Sequence, residues 1–182
     1  KIETIVDGMS LSGVSDFSSY AFSKDETKIL LATEVESIFR RSTLGIYYVY
    51  DVFSKKTVRI SDRKIQEPTL SPDGSKVAYV LNNNLYIFDL KSQITEQITT
   101  DGEKNKIING VTDWVYEEEF SFVSAYEWSP DGAKIAFLRF DESQVPEFSM
   151  EIYDHTLYPQ EDTFKYPKAG ENNSVVTLHL VD

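Results

Sequence analysis

Three glutamates in a row, Glu117, Glu118 and Glu119, follow the apolar trio Trp114, Val115 and Tyr116 in the stretch DWVYEEEF (113–120). Carboxylates so placed can do two kinds of work. At the start of a helix they stay solvated and favour its dipole by about 0.3–1 kcal/mol. In a partly desolvated pocket, a pair of them can hold a cation through charge-assisted hydrogen bonds, each worth about 1.5–3 kcal/mol. A free amino terminus is such a cation, because its pKa of about 7.7–8.0 leaves it largely charged at neutral pH. Adjacent side chains on a helix project about 100° apart, so two of three consecutive glutamates can converge on one point while the third faces elsewhere. Paired carboxylates also cleave glycosidic bonds, but across about 5–9.5 Å and from separate elements, which consecutive residues fit poorly.

Composition removes other chemistries. The chain has no cysteine, which excludes disulfides, thiolate zinc sites and thiol nucleophiles. Its two histidines, His155 and His179, are far apart and lack partners at ligand spacing, so neither a metal site nor a cofactor is expected. The net charge is −12 and the basic residues are scattered, a balance that repels a phosphate backbone and argues against nucleic acid as a partner. No apolar run reaches the roughly 18 residues of a membrane helix. Hydrophobic residues make up 41% of the chain, enough for a real core, and the many Tyr, Phe, Val, Ile and Thr lean towards strands.

The elements that must carry these residues repeat. Ser71-Pro72-Asp73-Gly74 precedes the apolar run KVAYVL, and Ser129-Pro130-Asp131-Gly132 precedes KIAFLRF; a degenerate copy, Ser23-Lys24-Asp25-Glu26, precedes KILLAT. Pro fixes φ at the second turn position and Asp-Gly supplies the following bend. After each turn and its strand comes a second strand ending in Asp: IYYVYDV (46–52), NLYIFDL (84–90) and VVTLHLVD (175–182). TVRIS and TEQITT supply a further strand in the first two copies, and EPTLSP and SAYEWSP lead into two of the turns. The order is A, B, C, D, with the SPDG turn joining A to B. Units of roughly 40–50 residues holding four strands are the mark of a β-propeller blade. A β-sandwich is the alternative, but it does not readily explain a turn recurring at a fixed place. The expected fold is therefore all-β: a propeller fragment of about three four-stranded antiparallel blades (about 19–61, 67–100 and 123–182), with a short helical insert near 111–120. Propellers close with roughly four to eight blades, and the chain begins without Met in mid-pattern, so a partial N-terminal propeller domain over 1–182 is expected.

Ser71 to Asp89 is a minimal hairpin, whereas the first and third units carry extra residues between strands B and C. A further insert, 101–122, precedes strand A of the third unit and contains DWVYEEEF. In an up-and-down blade the B–C and D–A connections lie at the same end. All three inserts then share one face of the disc, together with Arg40 and Arg41, and enlarged loops on one face are where function concentrates.

GVTDWVYEEEF (110–120), YEWSPDG (126–132), FDESQVPEFSMEIYD (140–154) and YPKAG (166–170) resemble the N-terminal propeller of the dipeptidyl peptidase IV family, serine exopeptidases of the prolyl oligopeptidase group. The likeness runs from about Ser10 to Asp182. SPDG alone is shared by many propellers; DWVYEEE before a WSPDG blade is the specific element. The resemblance implies an eight-bladed propeller joined to a C-terminal α/β-hydrolase domain that holds the Ser-Asp-His triad. This chain contains no G-x-S-x-G nucleophile elbow, so it is expected to carry no catalytic residue and to be inactive alone.

By the same resemblance, Glu118 and Glu119 bind the free amine of peptides that lose N-terminal dipeptides, with Pro or Ala at the second position. Glu117 makes a structural contact. In IFRRS (38–42) the resemblance selects Arg40 over Arg41 as the residue that binds a substrate carbonyl, and Phe39 stands where the family often has Trp. Related tripeptidyl exopeptidases also bind amines with propeller carboxylates, so the dipeptide length rests on the resemblance. Trp114 and Tyr116 are expected to pack the insert onto its blade. Residues 141–170 read as an extended arm; the resemblance implies a homodimer contact for it, and a loop that simply covers a sheet edge is the alternative reading. The absence of cysteine and a lone Asn172-Asn173-Ser174 glycosylation match point to an extracytoplasmic setting, the bacterial periplasm or cell surface. The competing reading is a non-enzymatic propeller that holds a partner protein on the same face.

Overall fold

The computed structural model describes residues 2–8, 11, 13–14, 16–153 and 155–182. The first sheet is β1 (Ser19–Phe22), β2 (Lys28–Ser37), β3 (Thr43–Asp51) and β4 (Thr57–Arg59), paired antiparallel in that order. The second repeats the meander with β5 (Gln66–Leu70), β6 (Lys76–Leu81), β7 (Asn84–Asp89) and β8 (Thr95–Gln97). Then follow β9 (Ile107–Asn109), the single helix among the described residues, α1 (Trp114–Phe120), and β10 (Tyr126–Trp128), β11 (Ile135–Asp141), β12 (Glu147–Ile152), β13 (Gln160–Lys165) and β14 (Val175–Val181). The fold is mostly β, with three four-stranded antiparallel sheets and a separate two-stranded arm, β12–β13. No helix among the described residues is long and apolar enough to cross a membrane.

Each A–B turn is built the same way. The Ser71 hydroxyl accepts from Lys76 N–H at 2.9 Å and donates to Asp73 Oδ1 at 2.6 Å, which also accepts from Ser75 N–H at 3.1 Å. Ser129 and Asp131 repeat these bonds, and so do Ser23 and Asp25 in the degenerate copy. Gly74 and Gly132 take left-handed φ values of 67° and 70°; Glu26 is held at 60° in the same place, a conformation that disfavours a side chain. The aspartates that end strands C begin the next turns: Asp51 accepts from Ser54 N–H and Asp89 from Ser92 N–H, both at 2.7 Å.

Strand alternation divides the core between the sheets. Val77 and Tyr79 face the first sheet, packing with Leu30, Val49, Ile60 and Ile65, while Ala78 and Val80 face the third with Ile135, Phe137 and Phe140. Each fully buried branched side chain stabilises the stack by about 1.5–3 kcal/mol. A charge at Val80, fully buried, would break it.

The third sheet differs from the expected layout. One side of β11 pairs along its length with β14; the other is shared, with Arg139–Asp141 facing β9 and Ile135–Phe137 facing β10. Gly110 N–H donates to Leu138 O and Leu138 N–H to Ala125 O, which carries the ladder across the gap. The segment 111–124 is therefore an excursion out of one interrupted strand. The stretch 101–122 does not all precede the strand, because 107–109 already lies in the sheet. Three residues, IIN, are too few to show a strand period. Gly110 closes the gap at φ 80°, and a Cβ there would meet Val80 Cγ2 at 3.0 Å.

Candidate functional site

Helix α1 starts because Asp113 caps it. The Asp113 carboxylate accepts from Tyr116 N–H at 2.9 Å, and Glu117 N–H donates to Asp113 O at 3.1 Å. Ser174 Oγ donates to the second oxygen of Asp113, tying the cap to the segment that returns from the arm. The helix ends at Ser121, left-handed at φ 62°. Tyr116 packs inward against Phe140 and Phe122, with ring centroids 5.0 and 6.1 Å away. Trp114 instead packs against Tyr166, just beyond β13, with the rings tilted by 48° and their centroids 4.5 Å apart, so it anchors the arm as well as the insert.

Three like charges end up in three environments. Glu117 is 1% exposed, and its Oε1 accepts from Arg41 N–H at 2.6 Å and Ser42 N–H at 2.9 Å. Those amides belong to the β2–β3 hairpin tip, 76 and 75 residues away in sequence. Glu117 thus does structural work. Glu118 is half-buried and its Oε1 pairs with Arg40 Nη2 at 3.0 Å. Glu119 is exposed and makes no ion pair among the described residues. The two arginines part ways: Arg41 Nη2 donates to Ser121 Oγ at 2.9 Å, at the helix end.

A bulge in β2 between Thr33 and Glu36, with Glu34 at φ 50°, redirects the hairpin so that its tip meets α1. At that tip, Ile38 N–H donates to Ser42 O at 2.8 Å. Phe39 leans on Phe164 of the arm at 5.9 Å. Hairpin tip, helix and arm therefore meet around a cavity of about 230 Å³, lined among others by Phe39, Asp113, Trp114, Glu117, Glu142 and Lys165. Arg40 and Glu118 lie outside its lining.

Two further acidic residues were not singled out by sequence reasoning. Glu142 is 5% exposed at the root of the arm. Burial pushes its carboxyl up to about 7, with the Asp113 carboxylate adding to the rise and Lys165 opposing it. The signal was alternation: Phe140 is buried, and two residues on, Glu142 falls on the same face. Glu67 sits in a bulge of β5 at φ 46°, and burial, then the Glu117 carboxylate, raise its carboxyl above the usual range. No sequence period announces that bulge.

An exposed arginine beside two successive carboxylates at a helix end can bind a ligand carrying both an ammonium and a carbonyl. Groups of His, Cys, Asp or Glu that could hold a metal are absent among the described residues. His179 instead bonds Thr177 Oγ1 at 2.8 Å and stacks over Phe137.

Comparison with known proteins adds the wider frame. Prolyl endopeptidase FAP of Homo sapiens is 36% identical over 182 residues, covering 98% of this chain and 24% of that protein. Dipeptidyl peptidase 4 of Sus scrofa is 39% identical over 172 residues, covering 91% and 22%. The crystal structure of Porphyromonas gingivalis dipeptidyl peptidase 4 superposes with a TM-score of 0.88 at 46% identity, over 93% of this chain and 24% of that one. The chain therefore spans at most about a quarter of the length of these relatives. Residues 23–182 match the family described as the dipeptidyl peptidase IV (DPP IV) N-terminal region, and the chain belongs to that family.

Proposed function

We propose that this chain is the substrate-recognition portion of a dipeptidyl peptidase, in which Glu118 and Glu119 bind the free amino terminus of a peptide and Arg40 binds a carbonyl of its first two residues. The observation that carries this reading is the 3.0 Å contact between Arg40 and Glu118, which joins two inserts on one face of the sheets. Glu117 supports it by fixing the hairpin tip to the helix, so that the cation and the carboxylates keep one spacing. Arg40 offsets the repulsion between Glu118 and Glu119 when no substrate is present, and it is exposed enough to turn towards one. Anchoring the amine sets the distance to the scissile bond, and an internal segment, with no terminal cation, is refused.

In this reading bond cleavage belongs to an α/β-hydrolase domain of a longer enzyme. The substrates are peptides with a free N-terminus and Pro or Ala second, encountered in an extracytoplasmic setting such as the periplasm. The arm, with Leu157 88% and Tyr158 78% exposed, is the surface a homodimer would use. The test uses the full-length enzyme with paired substrates that differ only in whether the amino terminus is free or acetylated. Glu118→Gln should lower turnover of the free substrate towards that of the blocked one. Equal preference for both substrates in the parent enzyme would overturn the reading.

A further inference from the structure

Glu142 is buried at the point where the chain leaves β11 for the arm, and it makes no ion pair among the described residues. Its own N–H donates to Lys106 O at 2.8 Å, and its carbonyl accepts from Val145 N–H at 3.0 Å, which fixes the backbone at the root. The charged groups around the side chain come from four elements. Asp113 acts on its charge from the cap of α1, Lys165 from β13 and Asp141 from the end of β11, while Glu117 of α1 and Lys104 of the loop after β8 line the same cavity. Lys165 Nζ is engaged elsewhere, with Val145 O at 2.8 Å and Glu147 at 3.4 Å. Lys104 reaches Asp162 at 3.8 Å. A buried carboxyl facing other carboxylates, with the nearby lysines already partnered, is favoured in its neutral form.

We propose that Glu142 is a proton-dependent positioning residue for the amine-binding helix: neutral, it leaves Asp113 free to cap α1, and ionised, it sets a second carboxylate against that cap and loosens the helix that presents Glu118 and Glu119. The inference rests on the amine-binding reading for its effect on substrate, but not for its effect on the helix. Asp113 is the link, since it holds Tyr116 N–H on one oxygen and Ser174 Oγ on the other. Burial pushes the Glu142 carboxyl up to about 7, so the change would fall across the neutral range.

The experiment compares the full-length parent with Glu142→Gln, which keeps the shape and cannot ionise. KM and kcat for a free-amine dipeptidyl chromogenic substrate are measured from pH 5.5 to 8.5. Titrations of the substrate amine and of the hydrolase histidine are common to both enzymes and cancel in the ratio. The parent's KM should rise about 3- to 10-fold relative to the variant across one ionisation near neutrality, with the kcat ratio unchanged. Hydrogen exchange of peptides spanning 113–120 needs no substrate: above neutral pH it should be faster in the parent than in Glu142→Gln, by a similar factor. Glu142→Met provides a second neutral side chain and should match Gln, while Glu142→Asp should retain the pH dependence. Ratios of KM and of exchange that are both flat with pH would overturn the proposal. A pH-dependent exchange ratio with a flat KM ratio would sustain the helix effect and count against the amine-binding reading instead.

Discussion

At the A–B turns, Asp25, Asp73 and Asp131 each accept from a serine hydroxyl and from a backbone N–H two residues on, and these bonds hold their carboxyls below the usual range, Asp73 at about 2. At the opposite end of the same sheets the carboxylates fare differently. Glu67 and Glu142 are raised by burial, and Glu117 Oε2 is buried without a hydrogen-bond partner among the described residues. One end repeats a local solution three times. The other gathers negative charge from inserts that do not repeat, and leaves part of it unsatisfied. Local bonds between neighbours stabilise whatever lies nearby, so they suit a scaffold. Charge held against its preference is a reservoir that a cationic ligand or a proton can relieve, which is where recognition is expected.

The sharpest way to break this contrast is to remove charge at the insert face. In the full-length enzyme, Glu118→Gln and Glu119→Gln should each cost about 2–4 kcal/mol of transition-state stabilisation, roughly 30- to 1000-fold in kcat/KM on free-amine substrates, because a misplaced amine misplaces the scissile bond. N-terminally blocked substrates should respond little. Parental kcat/KM in both variants, with folding intact, would reduce the triplet to a solvated turn.

Glu117→Ala is a different kind of loss. It strands the Arg41 and Ser42 amides and opens the contact between hairpin tip and helix, at a cost of about 2–3 kcal/mol. Thermal unfolding should reveal that directly. The same variant should raise KM, because Arg40 and Glu118 lose their common support. A stable variant with an unchanged KM would separate the two inserts functionally.

The sign of a pH effect sharpens the contrast further. Glu142 ionises at about 7 in the fold against an ordinary 4.5, so its stabilising contribution is fully present below about pH 4.5 and is lost as pH rises through about 7. Glu142→Gln escapes that loss. It should be about 1–3 kcal/mol more stable than the parent at pH 8 and close to it at pH 4.5, as read by denaturant unfolding. A difference independent of pH would mean that the side chain acts by packing alone.

How much of this was legible beforehand follows the same division. The turns, the strands that end in Asp and the order of strands within each unit could be read because their chemistry is local and repeated. Helix geometry says only that one of the three glutamates must face away; the resemblance singled out Glu117 as the structural one, but not its partners, because the amides it bonds lie on another insert. The split of strand A into β9 and β10 was hidden because the ladder continues through Gly110 and Ala125 across a 14-residue excursion, 111–124, that no local pattern marks. The burial of Glu142 was legible in the alternation that follows Phe140, but its surroundings were not, because they are assembled from separate elements.

Asp73 supplies the counterpart to Glu142, with the opposite sign and the smallest effect. Its carboxyl ionises at about 2 against an ordinary 3.8, first because the Ser71 hydroxyl donates to it and then because Ser75 does. The stabilisation is present above about pH 3.8 and is lost as pH falls through about 2. The side chain is largely exposed, so solvent screening reduces its worth to about 0.5–1 kcal/mol. Asp73→Asn keeps an acceptor oxygen for the Ser71 hydroxyl and Ser75 N–H, and removes the charge together with the second oxygen, which accepts only from Ser75 Oγ. It should lower stability by that amount at pH 7 and by nothing measurable near pH 2. Catalysis should not change, because the turn lies at the far end of its sheet from the Arg40–Glu118 pair. If Asp73→Asn lowered kcat/KM as Glu118→Gln is expected to, the two ends would not be independent, and the division between scaffold and recognition face would fail.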